Sequence, residues 1–225
     1  MANAVKKLNG IAIADIKNIN GITDSNLKKL NGLEFAGITD AHTLIKTETA
    51  DSDSAIQFLD GTGGVVMDDT YDIYEFHFTN MHPVSAGSSH LQVQANASGG
   101  SGFNEYVISS TIASYHAEHG YNYNFQYEGW GQSNTQSYTI FSGYTGDGGD
   151  ESCSGVFTLF DPSNPAHVTH FYARTSVVTD GTRYNQDVLS GGYFNFADEL
   201  VGISFKFSTG NIESGEIKMY GVATS

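Results

Sequence analysis

Cysteine occurs once in these 225 residues, as Cys153, so no internal disulfide can form. At this length a chain buries about 70% of its unfolded surface on folding and needs no such staple. The neighbours of Cys153 in "DESCSGVF" are acidic or small, with no histidine or basic group to lower the thiol pKa, so it reads as a bland, buried thiol. Proline is scarce too, at three residues. No run of 18 apolar residues exists, so no segment has the pattern of a membrane-spanning helix. The N-terminus carries lysines without an apolar stretch, so no secretory signal is expected there. Positive charge is the other shortage: 10 basic residues stand against 25 acidic ones, a net charge of -15.

That charge is unevenly spread. Residues 1–46 hold six lysines against four acidic residues, while residues 47–225 hold the other four basic and 21 acidic residues. Two halves this different suggest two modules with different partners. The acidic part would be repelled by nucleic acid or an anionic membrane, which argues against either as a partner. What is abundant is glycine (26) together with tyrosine and phenylalanine (13 and 14), the composition of an all-β protein with glycine-rich turns.

The N-terminal part repeats itself. "VKKLNG" at 5–10, "IKNING" at 16–21 and "LKKLNG" at 27–32 recur at a period of eleven residues. The apolar pairs Val5 and Leu8, Ile16 and Ile19, Leu27 and Leu30 are spaced by three, which places each pair on one side of a helical turn. Asp15 and Ser25 sit where N-caps belong, and Gly10, Gly21 and Gly32 where a helix ends. Each unit therefore reads as one helical turn, a glycine stop and a short strand. Asn-Gly is equally the strongest two-residue hairpin signal, so a ladder of small hairpins is the alternative. One unit is too small to bury its apolar side, and three give a thin core. The module over 1–46 is thus expected to dock or assemble against other chains.

An acidic stretch rich in serine, threonine and glycine ("TETADSDSAIQFLDGTG", 47–63) separates this module from a body over 50–225. The body alternates at period two in "YDIYEFHF" (71–78), "HLQVQAN" (90–96), "YNYNFQY" (121–127), "GVFTLF" (155–160), "THFYARTSVV" (169–178), "VGISFKF" (201–207) and "GEIKMYGV" (215–222). Such runs predict antiparallel strands with one buried face. Some eight of them suit an antiparallel two-sheet sandwich, jelly-roll-like.

Signals for chemistry are few. The pairs "HAEH" (116–119) and "HVTH" (167–170) have a spacing that turns the two rings to opposite faces of a strand, so they read as polar surface. Asp147, Asp150 and Glu151 in "GDGGDE" cluster carboxylates on a flexible turn, the kind of set a calcium ion takes, but EF-hand spacing is absent and a solvated loop is the reading taken. No G-x-S-x-G, P-loop or dinucleotide-binding glycine pattern occurs, so no enzyme, catalytic residue or cofactor is expected. The most site-like segment is "YNYNFQYEGWG". Tyr121, Tyr123, Tyr127 and Trp130, with asparagine and glutamine beside them, have the chemistry to stack on sugars. Aromatics on one strand face also make a sandwich core or an intersubunit contact. The core is the reading taken for the strand, with Trp130 as the better exposed ring. Exposed rings would favour binding, and interior rings a structural role.

The repeat over 5–33 and the segments "DDTYDIYEFHFTNMHP", "LQVQAN" and "SGNIESGEIKMYGV" resemble virion structural proteins of tailed bacteriophages, especially marine and cyanobacterial ones. The resemblance brackets most of the chain, while 103–200 matches nothing in it. It implies a non-enzymatic component of the virion exterior, assembled in the host cytoplasm. That component would be a tail, fibre or collar part or a capsid decoration, contacting other virion proteins. A homo-oligomer is implied as well, with a trimer favoured. A carbohydrate-binding module that recognises a host-surface glycan is the alternative.

Overall fold

A computed structural model describes residues 7–8, 11–12, 18–19, 22–23, 29–30, 33–34, 42–84, 89–118, 120, 123–179 and 184–222. The chain divides into two compact units, Met1–Asp40 and Ala41–Ser225.

In the first unit, β1 (Lys7–Leu8) pairs with β2 (Ile11–Ala12), β3 (Asn18–Ile19) with β4 (Ile22–Thr23), and β5 (Lys29–Leu30) with β6 (Leu33–Glu34), each antiparallel. Register repeats with the sequence: Leu8 faces Ile11, Ile19 faces Ile22 and Leu30 faces Leu33. The expected helical turns are not found among the described residues, and the hairpin alternative takes their place. A helical turn fixes about six dihedrals for its first hydrogen bond, whereas Asn-Gly is predisposed to close a two-residue hairpin. The positions Val5, Gly10, Ile16, Gly21, Leu27 and Gly32 lie outside the described residues.

The second unit is all-β, with no helix among its described residues. Its strands are β7 (His42–Thr49), β8 (Ile56–Leu59), β9 (Ile73–Pro83), β10 (Leu91–Ala97), β11 (Val107–Ala117), β12 (Tyr123–Glu128), β13 (Ser133–Thr135), β14 (Thr139–Ile140), β15 (Cys153–Phe160), β16 (Thr169–Val178), β17 (Tyr184–Phe194), β18 (Leu200–Phe207) and β19 (Ile212–Val222). They form two antiparallel sheets. The larger has nine strands in the order β12-β11-β17-β16-β15-β9-β19-β7, with β13 also on β11; the smaller runs β14-β10-β18-β8. Residues 42–46, grouped with the repeat on charge, pair with Met219–Val222 of β19 and so belong to the body's sheet.

Alternation explains the core. Tyr74, Phe76 and Phe78 of β9, Phe157 and Leu159 of β15, and Ile217 and Met219 of β19 face inward and are buried. Phe58, Ile203 and Phe205 of the smaller sheet meet them. Phe205 is the hub, with its ring centroid 5.2 Å from Phe76, 5.0 Å from Phe78 and 5.7 Å from Phe157. Edge-to-face aromatic packing of this kind adds to simple area burial. Cys153 lies at the same interface, fully buried, and burial pushes its thiol pKa up to about 12, so it is inert as a nucleophile.

The two sheets are unequal in width, and that governs what is exposed. Four strands cannot cover nine. The outlying strand of the larger sheet, β12, has neither face covered: Tyr123 through Tyr127 are all exposed, and only Glu128 is buried.

Candidate functional site

The site-like segment found in the sequence lands on that overhang. β12 pairs with β11 from Thr111↔Glu128 to His116↔Tyr123 and, among the described residues, with no strand on its other side. Tyr123, Phe125 and Tyr127 stand on the outer face, 75%, 68% and 67% exposed. The expectation that these rings form the core is overturned. Alternation sets which side chains share a face, but burial depends on an opposing sheet, which here stops short. Tyr121 lies outside the described residues.

On the other face of β12, Asn124, Gln126 and Glu128 form a hydrogen-bonded row. Asn124 Nδ2 donates to Gln126 Oε1 (2.6 Å) and Gln126 Nε2 donates to Glu128 Oε1 (2.8 Å). The hydroxyl of Tyr115, on β11, donates to the same Glu128 oxygen. Glu128 anchors the end of the strand, and burial raises its carboxyl pKa above the usual range. The amides and rings thus occupy opposite faces. A sugar stacked on the rings would not reach the amides of the same strand.

Trp130 behaves opposite to expectation as well. It sits in the turn between β12 and β13, half-buried rather than exposed. Its ring lies 4.7 Å from His90 and 5.3 Å from Tyr144, and His90 and Tyr144 are 4.2 Å apart. His90 is buried, and its Nδ1 donates to the Ser142 carbonyl (3.1 Å). Desolvation lowers its pKa, partly offset by hydrogen bonding to the backbone carbonyls of Ser142 and Gly143, so the imidazole is neutral at pH 7. The turn itself needs glycine, since a Cβ at Gly131 would strike the Ser109 carbonyl of β11. This cluster joins residues 90, 130 and 144, and no local spacing in the sequence could have announced it.

Glu151 is buried and its Oε2 accepts the Gly148 N–H at 2.8 Å, closing the 148–151 turn on itself. The Gly148 carbonyl accepts from His82 Nε2 at 3.0 Å, which ties that turn to β9. Among the described residues, no group of three His, Cys, Asp or Glu side chains is arranged to hold a metal ion. His116 is exposed on β11 and His170 on β16, while His119 lies outside the described residues. On the outer face, Glu75 Oε2 accepts from both His42 Nε2 (3.1 Å) and His77 Nε2 (2.9 Å). A shallow open depression lined by Ser154, Arg174, Ser176, Asn185 and Asp187 lies on the same face. Its guanidinium is already held by Asp187 through two hydrogen bonds of 3.0 and 2.8 Å.

Among the described residues, the body presents an edge strand carrying three exposed rings. Compared with known proteins, the chain matches no family model, no curated protein and no solved structure.

Proposed function

We propose that the chain is a non-enzymatic structural component on the exterior of a tailed-phage particle, in which the repeat unit docks and the β-sandwich body is displayed. The observation that carries this reading is the repeat. Three eleven-residue units place a two-strand pair around each Asn-Gly in one register. Identical short hairpins bury little by themselves and gain a core only by packing on each other or on other chains. A body of strong negative charge stays dispersed at high local density, as display on a particle requires. The partners in this reading are other virion proteins and further copies of the chain, with three copies as the favoured number.

Light scattering after size exclusion tests it. The full chain should run as a trimer or larger species. The full-length triple variant Gly10→Val, Gly21→Val, Gly32→Val should run at a smaller mass. It replaces the residue best able to take the positive φ that an Asn-Gly hairpin needs. Equal masses for the two chains would remove the repeats as the assembly device. Glycan recognition is the second reading, favoured by the exposure of Tyr123, Phe125 and Tyr127. An array of host-type glycans that bound the triple variant as well as the parent chain would raise it to first place.

A further inference from the structure

We propose that β12 is a self-pairing edge, through which two copies of this chain join antiparallel about a twofold axis at Phe125. This goes beyond the virion reading and does not rest on it.

An edge strand presents unpaired backbone groups, and proteins blunt that hazard with charges, prolines, bulges or very short strands. β12 has none of these between Tyr123 and Tyr127: no charge, no proline, and an unbroken register with β11. The Phe125 N–H is bonded to the Asn124 side chain (Oδ1, 2.9 Å), a stand-in for the carbonyl of a further strand. The edges of the smaller sheet are short, at four residues in β8 and two in β14. The opposite edge of the larger sheet, β7, carries Lys46 and Glu48.

The occupant is read from the order of the residues. Tyr123-Asn124-Phe125-Gln126-Tyr127 is a palindrome in chemical type: ring, amide, ring, amide, ring. A twofold interface is isologous, so each residue meets its mirror position in the partner copy. Antiparallel pairing centred on Phe125 sets Phe125 against itself, Tyr123 against Tyr127 and Asn124 against Gln126. Rings then meet rings on the outer face, and amides, which both donate and accept, meet amides on the inner face. Shifting the register by one residue would set every ring against an amide; shifting it by two keeps rings on rings but opposes fewer of these five positions, so the alignment at Phe125 matches the most pairs within β12. The five residues carry no charge in a chain of net charge -15, so this is a strip where two copies approach without direct repulsion.

Sedimentation of the full chain over a concentration series tests the proposal, using the parent chain, F125K, F125C and Y127C. Phe125 and Tyr127 are both largely exposed, so the variants should melt with the parent. The parent should show a concentration-dependent doubling of whatever mass the repeats set. In F125K a like charge would face itself at the axis, and that step should weaken by about tenfold or more. A short bis-maleimide linker should join F125C into a covalent pair, because opposed Cβ atoms lie about 4.5–5.5 Å apart. Y127C should not, since its mirror position is Tyr123. Buried Cys153 is the only native thiol and leaves the readout clean. A parent chain with no doubling step overturns the proposal, as does an F125K chain that keeps it. Equal cross-linking of F125C and Y127C overturns it too. Glycan binding lost in F125K, with no doubling in the parent, would assign the strand to sugar instead.

Discussion

The two edges of the nine-stranded sheet differ in how they meet solvent. β7 holds Lys46 and Glu48 in register with Met219 and Ile217, both core residues, so its charges lie on the sheet's inward side. Lys46 Nζ reaches Glu48 at 3.3 Å and the Gly63 carbonyl at 3.1 Å. Inward-pointing charge at an edge is a known guard against unwanted pairing. β12, at the far side, has rings and amides in those places and a single buried carboxylate at its end. The same sheet is closed to strand addition on one side and open on the other. The difference shows that exposure alone does not make an edge adhesive. What matters is whether its side chains forbid a neighbour.

Both edges hang from one core, and the largest expected effect comes from cutting it. Phe205→Ala removes the ring around which Phe58, Phe76, Phe78, Phe141 and Phe157 pack within 6.3 Å. The loss should be about 3–5 kcal/mol, read by urea unfolding. Amide exchange at β7 and β12 should accelerate together. If β12 alone loosened while global stability held, the bare edge would be a separately folding unit and the comparison would need recasting.

Most of the body was legible in the sequence because its runs alternate cleanly. In 71–78, 169–178 and 215–222 alternate positions are the buried ones (Tyr74, Phe76 and Phe78; Phe171, Ala173 and Val177; Ile217 and Met219), as period-two reading requires. β12 has the same alternation and the opposite outcome. Its burial was decided by strands far away in sequence, through the width of the second sheet. The repeat misled for a local reason, since glycine after asparagine serves a helix stop and a hairpin turn alike. Phe125 was missed as a site residue, although the palindrome around it was visible in the letters. The His90, Trp130 and Tyr144 cluster could not be seen, being assembled from three distant segments.

Smaller than the core effect, and confined to the open edge, is the titration of Glu128. Burial raises its pKa in the folded chain, so the folded state holds the proton more tightly than the unfolded one. Stability from this group is therefore full below the unfolded value of about 4.3 and falls as pH rises through the raised folded value. Glu128→Gln stays neutral and keeps an oxygen to accept from Tyr115 and Gln126. Its stability relative to the parent should climb between about pH 4 and pH 7, measured by thermal melts across that range. A parallel pair of curves would mean that Glu128 ionises freely and does not anchor β12.

The smallest stability change carries the sharpest test of the comparison. Replacing Lys46 and Glu48 together by threonine removes a half-exposed pair that contributes about 0.2–1 kcal/mol, and threonine suits a strand. The fold should be nearly indifferent, while the edge loses the feature that distinguishes it from β12. In an F125K background, where the open edge is blocked, the added double substitution should create a new concentration-dependent species through β7. Sedimentation would show a doubling step that F125K alone lacks. A chain that keeps the F125K mass would mean that charge is not what closes β7, and that the loop bearing Gly63, onto which Lys46 bonds, shields the strand by itself. Either result separates the guard from the strand it guards, because both edges are the same antiparallel ladder with no further strand on their outer side among the described residues.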